Sequence, residues 1–202
     1  MGFKEIEKQT QSSKEFFDGK HQFEHWYVAN QVYFITAHTR DHFRAFASEE
    51  AKTIFWNKLD EYTKVNEFFP WVVSLLDNHY HMLGYNRHRE NLPALMQRLH
   101  GSTAKLVNDL LVERRSKFWR DQEGRECFDG CIRDPLQARR AYRYTLNQAV
   151  RARVVKDWRN YPHTRVFIDC EVGIRRATEL GAFLKDILYH RYDGKPYGKN
   201  GP

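Results

Sequence analysis

Apolar and polar positions divide the chain into alternating strand-like and helix-like stretches. Gln31 to Thr39 (QVYFITAHT) is rich in β-branched and aromatic residues and predicts a strand. Ser48 then reads as a helix cap with Glu49 and Glu50 favourably placed in the first turn. Ile54, Leu59, Tyr62 and Val65 carry that helix to about Asn66. The apolar run Trp71 to Leu76, the turn pair Asp77-Asn78 and the run His79 to Tyr85 read as a hairpin. Asn91 and Pro93 open a second helix whose pattern passes through Leu92, Leu95, Met96 and Leu99 to about Leu111. Glu126 to Ile132 (ECFDGCI) predicts a short strand. Asp134-Pro135-Leu136-Gln137 has a cap, a proline at the first helical position and Gln three after the cap, and starts a helix running to about Lys156.

The resulting order, β-α-β-β-α-β-α, predicts an α+β sandwich with an antiparallel sheet and helices on one face. Beyond Asn160 the pattern assigns nothing firmly, although Cys170 to Leu188 is helical in part. Residues 1–30 read as an N-terminal extension, 31–165 as the main domain, and 166–202 as a C-terminal helix with a basic tail.

Composition adds a partner class. Lys and Arg total 33 against 26 acids, a net charge of +7, and 15% of the 202 residues are aromatic. An excess of cations mixed with rings suits nucleic acid. No apolar run approaches the roughly 18 residues of a membrane span, so no membrane partner is expected. The start of the chain has no apolar signal core, and three cysteines, Cys127, Cys131 and Cys170, form no disulfide framework, both of which fit a cytoplasmic location.

Three features carry candidate chemistry. In His79-Tyr80-His81 the two imidazoles are two apart on a strand and share a face, where they can reach one cation. With 10 histidines in the chain, chance pairs also arise, and an exposed pair on a half-polar strand would look the same. Tyr144 and Gln148 are four apart on the Asp134 helix and share a polar stripe with Arg140, Asn147 and Arg151. The small residues Ala138, Ala141, Thr145, Ala149 and Ala152 form a separate stripe that can pack on the sheet. A phenol needs help to act as a nucleophile, which a cation at the target phosphate could supply; Tyr144 could equally be an ordinary surface tyrosine. Tyr142, two residues away on the helix, must face elsewhere. The third feature is the dense cluster Arg114, Arg115, Lys117, Phe118, Trp119 and Arg120, with Arg151, Arg153 and Lys156 extending the tyrosine helix: cations for phosphates and rings for bases. His38 on the first strand could lie near the metal but is read as an ordinary sheet histidine.

Together these features resemble the HUH-type single-tyrosine transposases, especially those associated with repetitive extragenic palindromes (REPs). The segment LLDNHYHMLGY is similar to the family strand met-pro-asn-his-x-his-leu, with Asn78, His79 and His81 in register and Asp77 where proline is usual. The segment YTLNQAVRARVV is similar to the tyrosine helix tyr-ile-x-x-asn-pro-val-arg-ala-gly-leu-val. Tyr144, Val150, Arg151, Ala152 and Val155 match it, Gln148 stands on the Asn position, Ala149 on the proline and Arg153 on the glycine. Phe118-Trp119, Phe128-Asp129-Gly130 and Ile132-Arg133-Asp134 resemble the family's approach to that helix, and Tyr161-Pro162 its exit.

The resemblance implies a ferredoxin-like core in which His79, His81 and Gln148 hold Mg²⁺ or Mn²⁺ and Tyr144 is the catalytic nucleophile. The partner would be single-stranded or hairpin DNA, contacted by Arg114, Arg115, Lys117, Trp119, Arg120, Arg140, Arg151 and Arg153, with the protein acting as a monomer or homodimer. The product would be a 5′-phosphotyrosine link and a free 3′-hydroxyl. Two other readings remain at this point: a hairpin-binding module without catalysis, or a hydrolytic metal enzyme that uses water and leaves Tyr144 dispensable.

Overall fold

The computed structural model describes residues 29–119 and 128–183. Its elements are β1 (Gln31–His38), α1 (Glu49–Val65), β2 (Phe68–Leu75), β3 (His79–Asn86), α2 (Asn91–Asn108), β4 (Phe128–Cys131), α3 (Pro135–Leu146), the single turn α4 (Gln148–Arg151), β5 (Thr164–Val166) and α5 (Cys170–Glu179). The strands form one antiparallel sheet of order β4-β1-β3-β2-β5. The first four strands and their crossover helices give the ferredoxin-like β-α-β-β-α-β arrangement, and β5 adds an edge beyond β2.

Local chemistry accounts for the element ends. Ser48 Oγ accepts from Ala51 N at 3.1 Å and starts α1. Asp134 Oδ1 accepts from Gln137 N at 2.8 Å, Pro135 fills the first helical position, and Gln137 Oε1 accepts from Arg133 N at 2.8 Å. Pro70 is tolerated inside β2 because the register slips between Pro70 and Val72, and β5 pairs only from Val72 onward.

Helices cover both faces of the sheet, not the single face that the pattern predicts. The period-2 alternation of β1 and β3 sends Ile35, Ala37, Tyr80 and Met82 into one core, against Phe55, Trp56 and Leu59 of α1 and Leu92, Leu95 and Leu99 of α2. Val32 and Leu83 enter the other, against Ala138 and Tyr142 of α3 and Ile174 and Ala177 of α5. His79 and His81 have the parity of Leu83, so the sheet presents them to the face that carries α3.

The Asp134 helix is shorter than its pattern predicts. Asn147 leaves the helical conformation between α3 and α4, and Arg153 stops the helix well before Lys156. Arg153 takes a left-handed φ of 58°, while Val154 N bonds Ala149 O and Arg153 N bonds Val150 O, both at 2.9 Å. This is a Schellman closure, with Arg153 at the position that favours glycine.

Candidate active site

Strand register assembles the centre of the site. β1 and β3 pair so that His38 lies opposite His79 and Thr36 opposite His81. The His79 and His81 rings are 5.1 Å apart between centroids, and His38 stacks on His79 at 4.9 Å. Each metal-candidate imidazole is held at Nδ1 by a side-chain oxygen: His79 by Asn78 Oδ1 at 2.6 Å and His81 by Thr36 Oγ1 at 2.7 Å. That leaves Nε2 of each ring to face outward, with the Gln148 side chain close enough to influence both rings.

Burial is the largest influence on both imidazoles. It lowers His79 to about 4, with His38 and His42 adding repulsion and Gln148 opposing the shift. His81, only 4% exposed, falls to about 2 through burial and then the neighbouring His79 and His38, with Gln148 again opposing the shift. Both rings are therefore neutral near pH 7, the form whose nitrogen lone pair can bind a cation. Among the described residues no three His, Cys, Asp or Glu side chains are grouped to hold a metal, so two imidazoles need a donor of another type. The Gln148 amide oxygen can be that donor. Two neutral nitrogens with oxygen partners behind them, plus one amide oxygen, fit a divalent ion of the Mn²⁺ or Mg²⁺ kind.

The α3 helix places Tyr144 over this centre. Its ring meets His81 edge-on at 5.1 Å and Phe34 at 5.9 Å, and the Arg151 guanidinium lies 4.9 Å from its centroid. Gln148 Nε2 donates to Tyr144 O at 3.1 Å, tying the two residues one turn apart. Tyr142 points into the second core, donates to Ile168 O at 2.9 Å, and is pushed up to about 12 by burial.

The structure separates the remaining candidates. Arg140 is exposed one turn before Tyr144, and Arg153 is exposed at the Schellman closure. Arg114, Arg115 and Lys117 are exposed on the loop after α2. Trp119 is not available for stacking on a base. It is 3% exposed, stacks on His100 at 4.7 Å and donates to Thr103 Oγ1 at 3.0 Å, because its strand-like bridge to Thr39 turns it into the α1/α2 core. Arg120 lies outside the described residues. Sequence reasoning missed Thr36 and set His38 aside. Their shared face with Phe34 was legible from the alternation of β1, but their register against His79 and His81 was not.

No protein-family model and no curated protein matches the sequence. Among solved structures, the fold matches a REP-associated tyrosine transposase bound to a REP hairpin, with a TM-score of 0.59 at 12% identity, covering 89% of this chain and 99% of that one. A candidate transposase from Deinococcus radiodurans R1 gives a TM-score of 0.42 at 15% identity over 62% of this chain and 95% of its own. The chain therefore has the fold of a REP-associated tyrosine transposase.

Proposed function

We propose that this protein is a metal-dependent enzyme that cuts and rejoins single-stranded DNA through Tyr144. The observation that carries this reading is the convergence of Tyr144, His81, His79 and Gln148: the phenol ring is 5.1 Å from one imidazole, the two imidazoles are 5.1 Å apart, and Gln148 bonds the Tyr144 backbone beside them. His79, His81 and Gln148 would hold Mg²⁺ or Mn²⁺, which when bound would polarise the target phosphate and offset its charge.

In the proposed reaction Tyr144 Oη attacks phosphorus as the bond from phosphorus to the 3′ oxygen breaks. The 5′-phosphate becomes esterified to Tyr144, and the proton lost from Oη balances the one gained by the departing 3′-hydroxyl. No water or nucleotide cofactor is consumed, and attack by a 3′-hydroxyl on the phosphotyrosine rejoins the strand. Arg151, over the Tyr144 ring, places positive charge beside the developing charge. Arg140, Arg151 and Arg153 would contact phosphates flanking the cleavage point. The neighbour of the same fold is bound to a REP hairpin, which supports a hairpin with single-stranded flanks as the substrate class.

The test is a 3′-labelled DNA hairpin with single-stranded flanks, incubated with protein and Mn²⁺ and resolved on a denaturing protein gel. Label should migrate with the wild type, vanish with EDTA, and be absent from Tyr144→Phe, while a 5′-labelled copy should give free fragment only. Equal cleavage by both proteins without adduct would establish water-driven hydrolysis instead. Binding without cleavage across several hairpins and metals would make the protein a binding module.

A further inference from the structure

A second cleft begins at Thr39, the residue after His38 of the histidine cluster. It has a volume of about 470 Å³ and lies between the segment after β1 and the loop after α2, lined by Arg40, Asp41, Phe43, Glu113, Arg115 and Lys117 among others. We propose that this cleft seats one unpaired nucleotide of the DNA strand, outside the cleavage site. The proposal rests on the reading of the protein as acting on single-stranded DNA.

Three observations support a nucleotide as the occupant. First, the Arg115 guanidinium lies 4.0 Å from the Phe43 ring centroid, so a flat cation is backed by a ring, and its exposed side is a platform for a base. Second, the cleft walls are built, not loose. Asn108, 8% exposed, donates from Nδ2 to Arg115 O at 3.0 Å and accepts Arg115 N–H at Oδ1 at 2.7 Å. Arg40 N bonds Phe118 O at 2.9 Å and joins the two walls. Asp41, His42 and Lys117 all hold left-handed φ values of 54–57° in these walls, a backbone state that persists only where the surroundings enforce it.

Third, the charges are mixed in a way that separates a nucleotide from a bare anion. Arg40 pairs with Asp41 at 3.5 Å and Arg114 with Asp109 at 3.0 Å, while Lys117 makes no ion pair among the described residues and is available to a phosphate. Asp41 and Glu113 would repel a naked anion but can accept from the exocyclic amino group of a base. The cleft starts at Thr39, next to His38, and the ring of His42 lies 5.3 Å from that of His38. A strand crossing the metal-candidate histidines can thus leave its neighbouring nucleotide in the cleft.

The test uses fluorescence anisotropy with two labelled DNA hairpins, one blunt and one with single-stranded flanks, and wild type, Arg115→Ala and Arg115→Lys proteins. Thermal melts confirm folding, since Arg115 is exposed. Losing one stacked base should weaken binding of the flanked hairpin by about tenfold in Arg115→Ala while the blunt hairpin is unaffected. Arg115→Lys should recover little, because it restores charge but not the flat surface. Equal weakening toward both hairpins, or full recovery by Arg115→Lys, would reduce Arg115 to general electrostatics and overturn the proposal. Unchanged affinity of Arg115→Ala for the flanked hairpin, with the wild type still forming its covalent adduct, would overturn the cleft alone. A wild type that neither binds the flanked hairpin nor forms adduct overturns both the cleft and the DNA-cleavage reading.

Discussion

At the scale of single residues, the site depends on groups that the motif does not name. Thr36 Oγ1 fixes the His81 ring from the neighbouring strand. Outer partners of this kind orient a ligand ring, and their loss typically costs 10–100-fold in metal affinity. Thr36→Val should therefore weaken Mn²⁺ binding by about that factor in a calorimetric titration, and Thr36→Ser should retain it; equal affinities for all three proteins would mean that Thr36 does not organise the site. Asp77 shows a similar gap between motif and structure. In the family pattern it replaces a turn proline, and from sequence it merely shapes that turn. In the fold it accepts from Arg44 at 2.6 Å and pairs with the buried Lys52 at 3.2 Å. Burial raises the Asp77 pKa, but the bonds from Arg44 and then Lys52 outweigh that and hold the carboxyl below its ordinary range. A depressed carboxyl stabilises the fold above its unfolded pKa, near 3.9, and loses that contribution as pH falls. Asp77→Ala should lower the melting temperature at pH 7, and the gap to wild type should narrow on acidification below about pH 4. A gap that stays constant with pH would show that the ion pairs carry none of it.

At the scale of elements, what the sequence made legible was what local chemistry decides. The caps at Ser48 and Asp134 and the period-2 runs of β1 and β3 are written in neighbouring residues. The end of the tyrosine helix is not, because Arg153 is an ordinary helix former that the surrounding fold forces into a left-handed turn. Trp119 was misread for the converse reason. Beside Arg114, Arg115 and Lys117 it reads as a stacking ring, but only the long-range bridge to Thr39 reveals that it is core. The helix end makes its own prediction. Left-handed φ costs an L-residue about 1 kcal/mol that glycine avoids, so Arg153→Gly should raise thermal stability despite greater freedom in the unfolded chain. If Arg153 also contacts DNA, the same variant should bind flanked hairpins more weakly with a shallower salt dependence. A variant that melts lower than wild type would show that the Arg153 side chain contributes more than its backbone strain costs.

At the scale of the whole molecule, the site exists because two strands and a later helix meet on one sheet face. β1 supplies Thr36 and His38, β3 supplies His79 and His81, and α3 and α4 supply Tyr144 and Gln148. The order of these elements was legible in the sequence; the second helical layer that supports α3 was not, because its contacts span the least patterned part of the chain. That layer is α5, which pattern alone sets apart from the main domain. Arg139 of α3 holds Glu171 through two bonds of 2.7 Å, Tyr142 donates to Ile168 O, and Gly173 lets the helix sit against Trp71 of β2. A methyl group on Gly173 would lie 2.8–3.0 Å from the Trp71 ring. Alanine in a helix interior ordinarily adds up to about 1 kcal/mol over glycine, but overpacking a fitted contact costs about 1–3 kcal/mol. Steric cost should win, so Gly173→Ala should melt at lower temperature, in one transition. Because α3 rests on the same layer, adduct formation by Tyr144 should fall with it, even though Gly173 lies on a helix that contributes no residue to the site. If α5 were an independent appendage, Gly173→Ala would leave the melt and the adduct yield unchanged, and a chain ending at residue 165 would keep both.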